Sequence, residues 1–436
     1  MDPIIAVSVA VALIFVLLAL GTPVFATLAL SGAAGIVMVE NLTFLLNRLK
    51  SFSYSTTATS TLTVIPLFIL MGAFAHHAHI GRRLFDVANK WVGHMPGGLA
   101  MAGILTSAGF AATSGSSVAT AATVGSVALP EMRRAGYDPA LAAGSVAAGG
   151  VLGVLIPPSV LLIFYAALTE VSAGKMLVAG FVPGILTTIV FMLGIRVIAG
   201  RTMQRATLAP RSGWGERLSA TTRAWQVVVL FVVVLGGIYL GLMTPTEAAA
   251  VGAVAALLML LGELRLGVMP AIVESFRSTI TTTVMILFTM LGAGIFSYFL
   301  TLVQLPQQIA GAIGDSGIPP HAVVALLLLA YIPLGMFLDA FSMMVITLPI
   351  MFPTVQHLGF DPIWFGILCV KMCEIGLMTP PVGLNCFVIA GIDRQTPLTQ
   401  VFRGAMWFVL MEMLTVTLLF AFPAITTFLP NMMLGR

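Results

Sequence analysis

Charged residues are scarce in this chain: 8% of its 436 residues are Asp, Glu, Lys or Arg, whereas 59% are hydrophobic. Soluble domains have about 25% charged residues, so the composition excludes an ordinary soluble domain. Apolar runs recur along the chain, and roughly 20 apolar residues suffice for a helix to cross a bilayer. The sequence therefore predicts an all-α polytopic membrane protein, with about ten crossings of that length.

Cysteine is also rare, and common motifs of hydrolytic enzymes are missing. Cys369, Cys373 and Cys386 all lie within apolar runs, a pattern that fits neither a disulfide framework nor a zinc site. The sequence contains no HExxH and no GxSxG motif, which would indicate a metalloprotease or a serine hydrolase. We therefore expect the chain not to be an enzyme and to have no organic cofactor.

The few basic residues indicate an orientation in the membrane. Five arginines lie in a linker over residues 201–223. If this linker is cytoplasmic, most other Lys and Arg residues, such as Arg82, Arg133 and Arg277, fall on the same side. An excess of basic residues is typical of cytoplasmic loops, so we expect a multi-pass membrane protein with a cytoplasmic linker.

The second half of the sequence repeats landmarks of the first. AGYDP at 135–139 matches LGFDP at 358–362, and Pro157-Pro158 matches Pro380-Pro381, each pair 223 residues apart. We predict two repeats of about five crossings and one re-entrant hairpin each; because five is odd, the second copy is inverted, as in secondary transporters. The predicted ranges are 1–210 for the first repeat (hairpin 97–129, broken helix 139–169), 211–223 for the basic linker and 224–436 for the second repeat (hairpin 322–352, broken helix 361–391).

The proline pairs predict interrupted helices near the middle of the membrane. Proline removes a backbone donor and breaks a helix, and the freed carbonyls of such breaks coordinate ions in secondary transporters. Asp138-Pro139 and Asp361-Pro362 predict an N-cap followed by an N1 proline at the start of each broken helix.

With these features, the chain resembles the large membrane subunit of a TRAP (tripartite ATP-independent periplasmic) transporter. The resemblance covers essentially the whole chain and implies a location in the bacterial inner membrane. It is carried by TSGSSVATAATVGSVALPEMRRAGYDPALAAGSVAAGGVLGVLIPPS (113–159), MTPTEAAAVGA (243–253) and LGFDPIWFGILCVKMCEIGLMTPPVGLN (358–385).

The resemblance implies sodium-coupled uptake of an organic acid anion, such as a dicarboxylate, a sugar acid or a keto acid. It implies an elevator-type fold, in which the hairpins and broken helices slide past a fixed scaffold. The implied partners are a small membrane subunit as a separate chain, a soluble periplasmic binding protein, the organic acid and membrane lipid, but no nucleic acid. The alternative is a stand-alone sodium- or proton-coupled anion symporter of the same fold that needs no binding protein.

Oxygen-rich residues at the first hairpin tip, opposite the first break, predict a sodium site. Hydroxyls and free carbonyls suit an alkali cation, although small residues also permit close helix packing. The expected site comprises Thr113, Ser114, Gly115, Ser116, Ser117, Gly150, Gly153 and Pro157.

A second sodium site is expected at the second tip and break, where Asp339 takes the position of Ser116. An Asp at membrane depth costs about 2.5 kcal/mol or more and indicates function: it either ligates sodium or caps the following helix. The expected site comprises Gly335, Asp339, Ser342, Gly376, Thr379 and Asn385. The substrate is expected between the tips, near Ser116, Ser117, Pro158, Asp339 and Pro381.

Two opposite charges lie three residues apart on the second broken helix. Lys371 and Glu374 can pair at this spacing, whereas the first repeat has no charge at the equivalent positions. Either Lys371 binds a substrate carboxylate or the pair only stabilises the domain, and we expect the stabilising pair. Glu412 is expected to belong to the scaffold or to face the partner subunit.

Overall fold

The computed structural model describes residues 2–57, 60–202, 210–263, 268–315 and 317–433. These residues form helices and connecting segments, without a β-strand, which confirms the predicted all-α class. The predicted repeats also include residues 1, 58–59, 203–209, 264–267, 316 and 434–436, which lie outside the described residues.

The first half contains twelve α-helices within the described ranges and a 3₁₀ turn, Ser60–Thr63, that leads into α4. The helices are α1 (Pro3–Ala19), α2 (Val24–Val39), α3 (Leu42–Thr57), α4 (Val64–His77), α5 (Ile80–Val92), α6 (Gly98–Ser114), α7 (Ser117–Arg134), α8 (Pro139–Leu155), α9 (Val160–Thr169), α10 (Ala173–Ala179), α11 (Phe181–Thr202) and α12 (Trp214–Arg223).

The second half begins with a helix that contains a π-helical segment, Val232–Gly236. Its α-helices are α13 (Trp225–Phe231), α14 (Gly237–Tyr239), α15 (Pro245–Glu263), α16 (Val268–Leu302), α17 (Leu305–Asp315), α18 (Pro320–Leu329), α19 (Tyr331–Gly335), α20 (Ala340–His357), α21 (Pro362–Met378), α22 (Leu384–Ile392), α23 (Leu398–Ala421) and α24 (Ala424–Met432).

Several helical segments have the length and apolar composition of membrane spans. Among the described residues, five qualify as unbroken spans, and the number rises to eight if each of three bent helix pairs is one span. Our expectation of about ten crossings also counts α1 and α2, which have only 17 and 16 residues. It further counts the second broken helix, α21 and α22, but not α20 (Ala340–His357), which overlaps the predicted second hairpin. The chain is thus a multi-pass membrane protein.

The two helices that precede the proline pairs form the centre of the molecule. Every residue from Leu141 to Leu155 in α8 and from Trp364 to Met378 in α21 is buried. A helix that is apolar on all sides is typical of the core of a large bundle. Helix α8 contacts α6, α7 and α23, and α21 contacts α19, α20 and α23. The core therefore holds both broken helices against the hairpins.

Both broken helices start and stop where the sequence predicts. The Asp138 side chain accepts a hydrogen bond from the Ala140 N–H at 3.1 Å, and the Asp361 side chain accepts one from the Ile363 N–H at 2.8 Å, which confirms the N-caps. Helix α8 ends before Pro157-Pro158 and α21 ends before Pro380-Pro381. The chain bends by 45° between α8 and α9.

The remaining long helices form a second group around α16. Helix α2 packs along α16, and α4 packs on α15 and α16. Small residues of α2 let α16 come close: Gly32 lies against the backbone of Phe296, and Gly35 lies against the ring of Phe299. Helix α4 also contacts α6 and α9, so α4 joins this group to the hairpins and broken helices.

Gly144 and Gly404 bring α8 and α23 into backbone contact. A Cβ on Gly404 would collide with the carbonyl oxygen of Ala140, and a Cβ on Gly144 would collide with the backbone of Gly404. Small residues allow membrane helices this close approach.

We therefore expect Gly404→Val to separate α8 from α23 and to destabilise the protein by about 1–3 kcal/mol, the usual cost of overpacking. The thermal unfolding midpoint of the detergent-solubilised protein measures this loss. Gly391→Ala is the matched control, because a Cβ on Gly391 has no neighbour within 4 Å. An unchanged midpoint in Gly404→Val would contradict the described contact.

Candidate functional site

The tip between α6 and α7 lies directly against the break between α8 and α9. Gly115 has φ of +62°, a left-handed conformation that glycine adopts readily and that often ends a helix. Its carbonyl oxygen accepts a hydrogen bond from the Val160 N–H at 3.3 Å. A Cβ on Gly115 would lie 2.9 Å from the Pro158 carbonyl oxygen. The first tip and the first break thus form one unit.

The residues predicted for the first sodium site largely converge there. A Cβ on Gly153 would lie 2.5 Å from both the Ser116 carbonyl oxygen and the Thr120 hydroxyl oxygen. The Ser114 and Thr120 hydroxyls share a hydrogen bond of 2.6 Å. Thr113 instead donates its hydroxyl to the Phe110 carbonyl of its own helix at 2.8 Å.

Ser117, Gly150 and Pro157 complete this first region. A Cβ on Gly150 would lie 2.9 Å from the Ser117 carbonyl oxygen, and Pro157 is buried within the break. Thr120 was missed by our sequence prediction. Its position one helical turn after Ser116 is a signal that would have identified it.

Asp339 caps α20, as one of the two sequence-based alternatives predicts. Its carboxylate accepts hydrogen bonds from the Phe341 and Ser342 N–H groups at 3.1 and 3.4 Å. The Ser342 hydroxyl also donates to it. These contacts hold Asp339 and Ser342 together at the second tip.

The second tip approaches α21 through two glycines. A Cβ on Gly335 would lie 2.6 Å from the Gly376 Cα. Thr379 donates its hydroxyl to the Ile375 carbonyl at 2.7 Å. Asn385 is buried, and a Cβ on Gly150 would lie 3.4 Å from its Nδ2 atom. Asn385 therefore reaches the first half of the molecule, which the sequence did not predict.

One cavity of about 470 Å³ lies where both tips and both broken helices meet. Residues at the starts of α7, α9, α20 and α22 line it, and so do Glu374 and Leu377 of α21. Four helices therefore begin at this cavity. Their N-terminal N–H groups carry partial positive charge, which favours an anion.

Ser116, Ser117 and Asp339 line this cavity, as expected for residues near a substrate. Pro158 and Pro381 are not among the lining residues within the described ranges. Pro158 is buried in the first break, whereas Pro381 is exposed.

The other wall of the cavity was not predicted. It comes from the end of α4, with His76 and His77, and from the first turns of α16. In α16 the lining residues Ser275, Ser278 and Thr282 have spacings of three and four, so they share one face of the helix. This polar face on an otherwise apolar helix is a sequence signal that would have identified the wall.

The expected pair of Lys371 and Glu374 is wrong. Lys371 Nζ instead lies 2.5 Å from Glu412 Oε2 of α23 and donates a 2.8 Å hydrogen bond to the Thr187 hydroxyl of α11. Glu374 lines the cavity, and neither of its carboxylate oxygens has a hydrogen-bond partner of ordinary geometry. The packing of α21 against α11 and α23 thus decides the partner of Lys371, because it brings Glu412 closer to Lys371 than Glu374 is.

Glu412 is therefore not exposed to a partner chain but fully buried, with 0% of its side chain accessible. Its carboxylate also accepts a hydrogen bond from the Thr415 hydroxyl at 3.0 Å. The pair joins α21 to α23, which follows the second broken helix in the chain, so it stabilises the core around α21.

Comparison with known proteins identifies relatives along nearly the whole chain. The family described as tripartite ATP-independent periplasmic transporter, DctM component, matches residues 11–425. The C4-dicarboxylate TRAP transporter large permease protein DctM of Pseudomonas aeruginosa is 39% identical over 93% of this chain and 94% of its own length. The isethionate TRAP transporter permease protein DctMQ of Oleidesulfovibrio alaskensis is 34% identical over 86% of this chain and 59% of its own length.

The fold also resembles a solved transporter structure. The YdaH transporter of Alcanivorax borkumensis superimposes with a TM-score of 0.65 at 17% identity, over 97% of this chain and 98% of that chain. At this identity the likeness concerns the fold alone. The sequence relatives are named transporter permeases and not enzymes, as we expected for this chain. The chain therefore belongs to the DctM component family of tripartite ATP-independent periplasmic transporters, as the large permease.

Proposed function

We propose that this permease takes up an organic acid anion together with sodium ions. The observation that carries the proposal is the composition of the central cavity. Four helix N-termini meet there with three carboxylates, those of Asp339, Glu374 and the exposed Glu274 of α16, and no Lys or Arg is found among the described residues that line it.

The charges of this cavity account for coupling to a cation. Helix N-termini attract the anion, but Asp339 and Glu374 repel it, because charges in a low-dielectric site interact strongly. Cations bound next to these carboxylates remove the repulsion. The anion then binds well only when the cations are bound, which is the condition for symport.

This argument, together with the oxygen atoms at the two hairpin tips, leads us to propose two sodium positions. The first lies at the first tip and break, among Ser114, Ser116 and Gly153, where hydroxyl and carbonyl oxygens converge. The second lies at Asp339 and Ser342, where the second tip approaches α21. The substrate lies between the two, within reach of the starts of α7 and α20.

The cavity extends from the tips towards the end of α4 and the first turns of α16. Arg82 and Arg277 lie close to these segments in the sequence, and the positive-inside rule assigns this side to the cytoplasm. We therefore infer an inward-facing state, from which the anion leaves into the cytoplasm. Sliding of the hairpins and broken helices along α4 and α16 would carry the same site to the periplasm, as an elevator does.

Relatives and family indicate the partners and the substrate class. The family is tripartite by name, so we propose a soluble periplasmic binding protein and a small membrane subunit as further components. We propose that the small subunit is a separate chain. A C4-dicarboxylate is the first substrate to test, because the Pseudomonas relative is named for one.

The proposal is tested by uptake of radiolabelled succinate into proteoliposomes that contain the permease with its small subunit. Uptake is expected only when an inward sodium gradient and the cognate binding protein are both supplied. Uptake driven by a proton gradient without sodium would contradict sodium coupling. Uptake without any binding protein would instead support the stand-alone symporter.

Asp339 can be tested separately as an ion ligand and as a helix cap. Asn caps helices about as well as Asp, so Asp339→Asn keeps the start of α20 and removes only the charge. We expect Asp339→Asn and Asp339→Ala to lower sodium-driven uptake roughly 10- to 100-fold, the effect of losing a charged contact. If Asp339→Asn keeps the uptake rate and the sodium dependence of the wild type, Asp339 is only a helix cap and not an ion ligand.

The first sodium position is tested by Ser114→Ala. Loss of one neutral ligand should raise the sodium concentration for half-maximal uptake roughly five- to tenfold, which corresponds to about 1 kcal/mol. Ser126→Ala is the matched control, since Ser126 is an exposed residue of α7 whose hydroxyl donates to the Thr123 carbonyl. If Ser114→Ala and Ser116→Ala both have the sodium dependence of the wild type, the ion does not bind at this tip.

A further inference from the structure

Glu374 is a buried carboxylate that has no ion-pair partner among the residues that the structure describes. Only 1% of the residue is accessible, and neither Oε1 nor Oε2 has a hydrogen bond of ordinary geometry. Ser117 and Asn385 lie beside its side chain. A buried carboxylate without an opposite charge is strongly unfavourable as an ion, so at this position it either carries a proton or binds a cation.

The amide of Asn385 lacks partners in the same region. Asn385 is fully buried, and both its Oδ1 and its Nδ2 are without a hydrogen bond. The Nδ2 atom and the Ser117 carbonyl oxygen both lie within 3.4 Å of the position that a Cβ on Gly150 would occupy. Glycine at position 150 thus leaves room at a point where α7, α8 and α22 meet.

The charges around Glu374 do not cancel. Lys371 is the neighbouring cation, but it pairs with Glu412 at 2.5 Å and bonds to Thr187. Lys371, Glu412 and Glu374 together carry one net negative charge within the apolar core. One monovalent cation at Glu374 would make this group neutral, and the cavity that Glu374 lines gives that cation a way in.

We infer that Glu374, Asn385 and Ser117 form a third sodium site, in addition to the two positions of the proposed function on which this inference rests. The ligands are the Glu374 carboxylate, the Asn385 Oδ1 atom, and the Ser117 hydroxyl and carbonyl oxygens. They come from α21, α22 and α7, so the bound ion links the first hairpin to the second broken helix. Asn385 belongs to this site and not to the second sodium position.

The number of oxygens favours sodium over a proton. A proton needs one acceptor, whereas an alkali ion needs several oxygens around it. Carboxylate, amide, hydroxyl and backbone oxygens from three helices converge here, and all are hard ligands. The first repeat has Val151 at the position of Glu374, so it has no equivalent carboxylate site.

The inference is tested by equilibrium binding of ²²Na⁺ to the purified complex of the permease with its small subunit. Glu374→Gln keeps the side-chain shape and needs no counter-ion, so the variant should bind one sodium ion fewer per permease chain than the wild type. With a tenfold sodium gradient at zero membrane potential, the variant should also accumulate about tenfold less substrate at equilibrium, because one coupled ion is missing.

Glu131→Gln is the control, because it removes an exposed carboxylate of α7 that pairs with Arg134 of its own helix. If Glu374→Gln does not yield monodisperse protein, Asn385→Leu, which keeps a similar volume and removes the amide oxygen, should lose the same ion.

An unchanged sodium count in Glu374→Gln overturns the inference. An unchanged count together with loss of the pH dependence of uptake assigns the site to a proton and also overturns it. If the wild type itself binds no sodium, the proposed function fails as well. The two failures are therefore distinguishable.

Discussion

Helix ends buried within an apolar bundle need partners for their free N–H groups, and this requirement governs the centre of the molecule. Helices α7, α9 and α20 begin there, and the side chains of Ser116, Ser159 and Asp339 each accept a hydrogen bond from the helix that follows. Helix α22 begins after Gly383 without a side-chain cap. Side-chain caps thus provide partners for only some of the N–H groups at these four helix ends. The partial positive charge that remains favours an anion in the cavity.

Buried charge is distributed unevenly around this centre. The pair of Lys371 and Glu412 lies deep in the core and is neutral as a unit, so its role is to fix α21 against α23. Asp339 and Glu374 face the cavity instead. A buried carboxylate is costly without a counter-charge, and in the function that we propose this cost ties binding of the anion to binding of cations. The two kinds of charge therefore differ in their surroundings, although Lys371 and Glu374 lie only three residues apart on α21.

The two halves share a framework but differ in polarity. Ser116 and Asp339 occupy equivalent positions as N-caps, yet one is neutral and the other charged. The first break is buried, whereas the second break exposes Pro381 and Val382. Only the second half has charged residues in the core of its broken helix. Between positions that the predicted repeats make equivalent, a few residue differences thus give the two sides a different electrostatic character.

The sequence by itself determined the membrane class, the family resemblance, the helix breaks at the proline pairs and the caps at Asp138 and Asp361. These features depend on local chemistry, since a proline or a capping carboxylate acts on its own few residues. Only the tertiary structure decided that Lys371 pairs with Glu412, that Asn385 reaches Gly150 and that the first turns of α16 line the cavity. These contacts join residues from distant helices, and no local rule states which helices become neighbours or which faces they present to each other.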